Sequence, residues 1–417
     1  MTHALHPGSG SGSSASASAS ASASIRRRQF WAASSLFAVM GLHTGAWTVL
    51  LVDLSHWFGL DLQTLGTFMT LACVASVPVQ LAGGWLSDHF GRRPLLFLGL
   101  VGMGLTLTLL TVARSDVVAF SVFALMGLFG GILDLGVNSI GSDYESHYDV
   151  PVMTQLHAGF SGGAIGGALF VALGMGGLGW DFRIVYGIDA LLLIAFGVLA
   201  LLLPLSGRVT KPEGKLRGGF AELRKLTVVL PASLLLALYF FSDSAIENFS
   251  SLYLRDLLKG GVVVSAVGVA GFYFASFVGR LCGGAIIRRH GEALLVRIAG
   301  LGMFAGIILI VTGGSPVVAA AGLLLFGLSE APVAPVGFSL AGRATADRAG
   351  LAMAVVSAIS FGAYSLSPLA FGVIASGSSY QVAFSTLAGT ALLIFFFGFS
   401  RKAGLSGAAP VFTSRRQ

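Results

Sequence analysis

The chain has 417 residues, of which 55% are hydrophobic and only 10% charged, with 58 glycines, a net charge of +7 and a mean hydropathy of +0.86. Soluble globular domains carry about 25% charged residues, so an ordinary soluble enzyme, a disordered protein and a nucleic-acid binder are excluded. Long apolar runs stand where an outer-membrane barrel would show alternating segments of roughly ten residues, which excludes that class too.

What remains is an all-α polytopic membrane protein. A spanning helix needs about 20 mostly apolar residues, and twelve such stretches follow one another. In the first half they are 30–54, 62–86, 94–113, 117–141, 153–174 and 180–204; in the second, 227–252, 262–287, 291–313, 316–341, 347–375 and 379–400. Residues 1–25, with Gly/Ser and then Ser-Ala repeats, read as a disordered low-complexity tail. The spans divide into a six-helix bundle over 26–205, a basic linker over 206–226, a second six-helix bundle over 227–402 and a tail over 403–417. Cys73 and Cys282 lie far apart inside apolar runs and suggest no disulfide.

Lys and Arg mark the orientation. With both termini inside, 21 of them fall on cytoplasmic segments and margins and 4 on the outside. The net charge therefore reflects topology in a plasma (inner) membrane, and no nucleic-acid partner is needed to explain it.

A repeat crosses the linker. Gly83, Gly84, Asp88, Gly91, Arg92 and Arg93 close span 2, and two hundred residues later Gly283, Gly284, Arg288, Arg289 and Gly291 close span 8 with the same glycine spacing. Internal repeats with a midplane site between them are characteristic of secondary transporters. The loop Gly84, Asp88, Gly91, Arg92, Arg93 resembles the signature of the major facilitator superfamily. Asp134, Asn138, Gly141 and Glu145 in span 4, His157 opening span 5, and Asp243, Glu247, Asn248 and Phe249 in span 7 resemble the fucose permease group and an adjoining bacterial inner-membrane branch. The stretch from Gly41 to Thr48 departs from fucose permease, whose first span carries an acid.

Ionisable residues inside a bilayer cost roughly 2.5–3.5 kcal/mol on insertion scales and point to function. The deep ones are His43, Asp134, Asp189, Asp243, Glu247 and Glu330, and all but Asp189 lie on spans 1, 4, 7 and 10. That three-span period selects the same element of each three-helix repeat, and the resemblance implies that those spans line the central cavity. Asp134, Asn138 and Glu145 share one helical face, as do Asp243 and Glu247. Two carboxylates this close cannot both carry charge in a low dielectric, so one is expected to keep its proton. Pro332 and Pro335 beside Glu330 are expected to kink or break span 10. Asp189 reads as a structural partner of a neighbouring helix, and Asp53 and Arg280 as side chains snorkelling at membrane margins. His43 stands open between solute ligand and structural histidine, and His157 between proton relay and polar contact. The resemblance implies a cytoplasmic latch in which Glu145 meets the signature-loop arginines, with Gly84, Asp88, Gly91, Arg92, Arg93 and His157 at that gate. Two glycine ridges, Gly162/Gly166 and Gly163/Gly167, are expected to pack helices.

The expected function is alternating-access secondary transport. With no Lys or Arg placed at mid-depth, a dianionic solute is disfavoured, and the resemblance favours proton-coupled symport of a neutral sugar-like or polyol solute. The solute and proton site is expected to comprise His43, Asp134, Asn138, Asp243, Glu247, Asn248 and Glu330. Two alternatives stay open: a proton antiporter exporting amphipathic cations, and a non-transporting receptor or scaffold. No nucleophile–base pair, H-E-x-x-H spacing or phosphate-binding Gly-Lys-Ser/Thr occurs, so no enzyme activity, cofactor or metal is expected beyond the proton as coupling ion. The expected partners are a small-molecule solute and the lipid bilayer, and the chain is expected to act as a monomer.

Overall fold

Within hydrocarbon, backbone N–H and C=O groups find no water, so each apolar segment must close its own hydrogen bonds as a helix. The computed structural model describes residues 11–112, 115–206, 229–344, 349–400 and 404–405, with no strand among them. The expected linker, apart from Ser206, and most of the C-terminal tail lie outside the described residues. Among the described residues, twelve helices are long and apolar enough to cross a membrane. Spans 1–6 are Ser22–Phe58, Leu62–Val79, Arg92–Val112, Val117–Tyr148, Met153–Gly177 and Phe182–Ala200; spans 7–12 are Leu230–Leu257, Gly261–His290, Glu292–Thr312, Pro316–Arg343, Val355–Gly377 and Tyr380–Phe397.

One boundary differs from expectation. The first helix begins at Ser11, so the Ser-Ala repeat expected to be a disordered tail continues the helix of span 1. Alanine has the highest helix propensity, and a helix already nucleated by a packed span extends through such a repeat at little cost. Elsewhere side chains and prolines set the helix ends. Asp61, in the turn before span 2, accepts the Thr64 backbone N–H at 2.7 Å, which starts that helix and holds the Asp61 carboxyl below its ordinary value. Span 2 passes into a short helix over Gly83–Phe90, and span 10 breaks between Pro316–Glu330 and Val333–Ala344, at Pro332. Gly91 and Gly291 end the repeat-related helices with φ of +80° and +83°, a left-handed conformation open to glycine at no steric cost.

The two halves pack alike. Span 1 lies on span 5, span 2 on span 4 and span 3 on spans 4 and 6; span 7 lies on span 11, span 8 on span 10 and span 9 on spans 10 and 12. Across the halves, span 2 meets span 11 and span 5 meets span 8. One end of the bundle, here the basic end, carries Arg26–Arg28, Arg92, Arg93, Arg288, Arg289 and Arg343; the far end carries the turns after spans 1, 5 and 7.

Only one of the two expected glycine ridges does the packing. A methyl on Gly163 or Gly167 would collide with the Ala38 or Leu42 carbonyl oxygen of span 1, whereas Gly162 and Gly166 face open space. Overpacking of this kind costs about 1–3 kcal/mol or more. Gly167→Leu is therefore expected to lower the monodisperse fraction in size-exclusion chromatography and the Tm in detergent. Gly166→Leu should leave both near wild type.

Candidate functional site

A cavity of about 550 Å³ lies at mid-depth between the halves. Its wall includes four methionines, Met40, Met69, Met103 and Met126, and six aromatic rings, Trp47, Phe123, Phe240, Phe338, Phe361 and Tyr364. Polar groups are few: His43, Thr44, Asp134, Glu247, Asn248 and four of the smaller Ser and Cys side chains. Asp134 comes from the first half and Glu247 from the second, and no Lys or Arg is among the lining residues.

Each deep ionisable group has a partner built by packing. Asp134 Oδ1 accepts from Asn138 Nδ2 at 2.8 Å, one turn along span 4. Glu247 accepts from two tyrosine hydroxyls, Tyr273 of span 8 at 2.7 Å and Tyr364 of span 11 at 3.0 Å. His43 Nδ1 lies 2.8 Å from Asp189 Oδ2, and both side chains are buried. Asp189 is thus the helix-pairing residue expected, and its partner is His43. Asp243 and Glu330 do not line the cavity; they sit behind its wall with their carboxyls in hydrogen-bonding contact, and Glu330 is 1% exposed.

Arg280 corrects an expectation. Instead of snorkelling at a margin, its guanidinium interacts with Tyr239, Asp243 and Glu330, and it donates to Ser161 of span 5 at 3.4 Å. Mid-depth therefore does hold a cation, though outside the cavity lining. Helix arithmetic carries the signal, since Arg280 lies ten residues before the end of span 8 at His290, about 15 Å along the axis. Two further assignments change. Asn138 is absent from the cavity wall, and its amide nitrogen is spent on the Asp134 carbonyl and carboxyl. Asn248 lines the wall, yet its amide nitrogen donates to Ser244 of its own helix.

At the far end the halves are clamped. Arg255 donates to both oxygens of Asp53 at 2.5 and 2.8 Å, His56 lies 3.1 Å from Asp256, and Ser251 donates to the Val49 carbonyl. Asp53, expected to snorkel, is thus half of an ion pair that joins spans 1 and 7.

At the basic end the ion pairs lie within each half. Arg92 binds Asp143 through two bonds of 2.7 and 3.0 Å and also donates to Ser87. Glu145, expected in that role, turns the other way and caps span 5 through the N–H groups of Val152 and Met153. The i, i+2 offset explains this, because the two acids leave the helix on opposite sides. Arg93 donates to the Leu203 carbonyl at the end of span 6. His157 packs edge-on against Phe37 and lines a crevice between spans 5 and 8 with Arg280. Gly84 falls in the short helix over Gly83–Phe90, and the Asp88 side chain lies outside the described residues. In the second half Arg343 holds Glu292 by bonds of 2.8 and 2.6 Å. Glu292 and Arg343 stand two hundred positions after Arg92 and Asp143, so the pair recurs with its polarity reversed.

Two pseudo-symmetric six-helix halves enclose a mid-depth cavity lined by one carboxylate from each half. Residues 32–329 match the Major Facilitator Superfamily, and the chain belongs to that family. It is 27% identical over 366 residues to the uncharacterised transporter y4wD of Sinorhizobium fredii, covering 84% of this chain and 91% of that protein. An uncharacterised MFS-type transporter of Yersinia pestis is 26% identical, over 84% of this chain and 90% of its own. The fold is similar to the crystal structure of a bacterial homologue of the human lysosomal transporter Spinster, with a TM-score of 0.69 at 14% identity, covering 90% of this chain and 96% of that one. The chain is a membrane transporter, not an enzyme.

The reversed ion pair makes a direct test. Removing one partner of a part-buried pair costs about 3–5 kcal/mol, so Arg92→Asp and Asp143→Arg should each lower folded yield and transport sharply. The double reversal recreates the polarity of the second half and should restore most of both, measured by size-exclusion profile and uptake in proteoliposomes.

Proposed function

We propose that the protein exchanges protons for an amphipathic organic cation by alternating access. The observation that carries this reading is the cavity itself, with one carboxylate from each half, ten Met and aromatic side chains and no lining cation. Aromatic faces attract a cation by about 0.5–2 kcal/mol each, and unbranched methionines adapt to solutes of varied shape. The volume of about 550 Å³ lies in the range of small-molecule sites.

Competition supplies the coupling. A cation beside Glu247 favours the ionised carboxylate, and a proton on Glu247 removes the cation's counter-charge, so the two ligands exclude each other and exchange follows. Asp243 and Glu330 are the second proton store, because two carboxyls in hydrogen-bonding contact hold a proton between them, with Arg280 balancing the remaining charge. With the far gate shut by Asp53 and Arg255 and the basic end taken as cytoplasmic by its Lys and Arg excess, the exchange moves cations outward in an inner membrane.

Symport of a neutral sugar or polyol is the second reading, favoured by Thr44, Ser357 and Ser360 on the same wall. It has less support, because the amide donors of Asn138 and Asn248 are already bound to their own helices.

Proteoliposomes loaded with a pH dye separate the readings. Ethidium entry is expected to make the interior alkaline, and Glu247→Gln and Glu330→Gln should slow it about a hundredfold. Acidification driven by fucose or xylitol, with ethidium inert, would establish symport instead. Proton movement unaffected by either substitution would remove both acids from the mechanism. A cell phenotype unchanged by Glu247→Gln, with no flux for any solute, would favour the receptor.

A further inference from the structure

Spans 2 and 11 meet across the halves along a seam that can be followed inward from the far end. The Gln63 backbone N–H donates to Ser376 Oγ at 3.0 Å. A Cβ on Gly372 would collide with the Leu62 carbonyl oxygen, and one on Gly66 with the Pro368 carbonyl oxygen, so the two backbones touch. One turn further in, Thr70 makes a different contact. Its hydroxyl donates to the Ser365 carbonyl at 2.8 Å and accepts the Leu369 N–H at 3.2 Å. Those two groups are the i and i+4 ends of one helical rung. A side chain of the first half therefore stands in the hydrogen-bond ladder of span 11.

Pro368 explains why the ladder opens at this point. It lies inside the helix and has no N–H for the carbonyl four residues back, here that of Tyr364, and its ring crowds that carbonyl, which bends a helix interior. A side chain inserted into the ladder is another cause of bending, and in span 11 the two fall on consecutive rungs. The other seam differs: Ala168 of span 5 and Ala270 of span 8 stand two hundred positions from Pro368 and Thr70, so neither the proline nor the hydroxyl recurs there. The same turn of span 11 carries part of the cavity wall. Tyr364 lines the cavity and donates to Glu247 at 3.0 Å, and Ser367 donates to the Phe241 carbonyl of span 7 at 2.6 Å. Met69 and Cys73, on either side of Thr70, line the cavity as well.

We propose that Thr70 is a positioning residue whose hydroxyl holds span 11 bent at Pro368 and so keeps Tyr364 on Glu247 while the far end is shut. This rests on the reading of the cavity as the solute site. Parting of spans 2 and 11 at the far end withdraws the hydroxyl. The Ser365 carbonyl and the Leu369 N–H then pair with each other, and the turn that carries Tyr364 resets. A bound cation thereby loses an oriented counter-charge as the far end opens, which is the release step an exporter needs.

Hydrogen–deuterium exchange of the purified protein reads the Thr70 contact without any solute, and ethidium fluorescence reads its effect on the cavity. Thr70→Val keeps the shape and removes the hydroxyl. Exchange in the peptide holding Leu369 is expected to rise about tenfold and ethidium to bind about tenfold more weakly, with the size-exclusion profile retained. Thr70→Ser restores the hydroxyl and should return both to wild type. Tyr364→Phe should weaken ethidium binding by itself, and adding Thr70→Val should then cost little more, because substitutions acting through one contact are not additive. Pro368→Ala lets span 11 close its own rungs, so in that background Thr70→Val should leave exchange almost unchanged. Unchanged exchange in Thr70→Val alone, or full additivity with Tyr364→Phe, overturns the proposal. Should Thr70→Val fail to fold, Thr70→Ala takes its place in both measurements. Wild-type protein that binds no ethidium would overturn the cation reading, and the exchange data would then decide this proposal by themselves.

Discussion

Charge in an apolar interior, at several kcal/mol for an unpaired ion, is the constraint that orders this bundle. The deep acids are held by groups from other turns or helices: Asp134 by Asn138, Glu247 by Tyr273 and Tyr364, Asp189 by His43, and Asp243 with Glu330 by Arg280. These contacts join span 7 to spans 8, 10 and 11, and span 1 to span 6. Their partners therefore fix how the helices of each half stand against one another. The same contacts leave Asp134 and Glu247 turned to the cavity, where a solute completes what the protein leaves unbalanced.

The interval of two hundred residues runs deeper than the glycine motif that reveals it. It relates the left-handed glycines at Gly91 and Gly291, the ion pairs at the basic end, and the titratable residues His43 and Asp243. The backbone role is kept at each of these positions while the side-chain chemistry diverges. Packing constrains the glycines, since a φ near +80° tolerates little else, whereas an ion pair works with either polarity.

The fold was largely legible in the sequence because the bilayer imposes one rule on each span, and apolar length records it. The break in span 10 was legible for a similar reason, as Pro332 removes a hydrogen bond wherever it sits. The candidate site was legible only in part. The three-span period located His43, Asp134 and Glu247 on the cavity wall, but depth along a helix does not give the direction of a side chain across the bundle, and Glu330 sits behind that wall. Arg280 reads as marginal in the sequence because the groups it faces, Asp243 and Glu330, come from other spans. Asp143 and Glu145 differ by two residues, and only the turn to span 5 decides which meets Arg92. The Gly162/Gly166 and Gly163/Gly167 ridges look identical in sequence, and only the seat of span 1 separates them.

The reversed polarity of the two basic-end pairs bears on how the chain assembles during insertion. Spans 3 and 9 are near-equivalent helices, as are spans 4 and 10, and their apolar faces offer little to tell one copy from the other. Were span 3 to dock against span 10, Arg92 would meet Arg343; were span 9 to dock against span 4, Glu292 would meet Asp143. Like charges forced together repel, which disfavours either mispairing. A duplicated bundle with unreversed pairs would have no such guard, so the inversion lets each half recognise its own helices as they leave the insertion machinery.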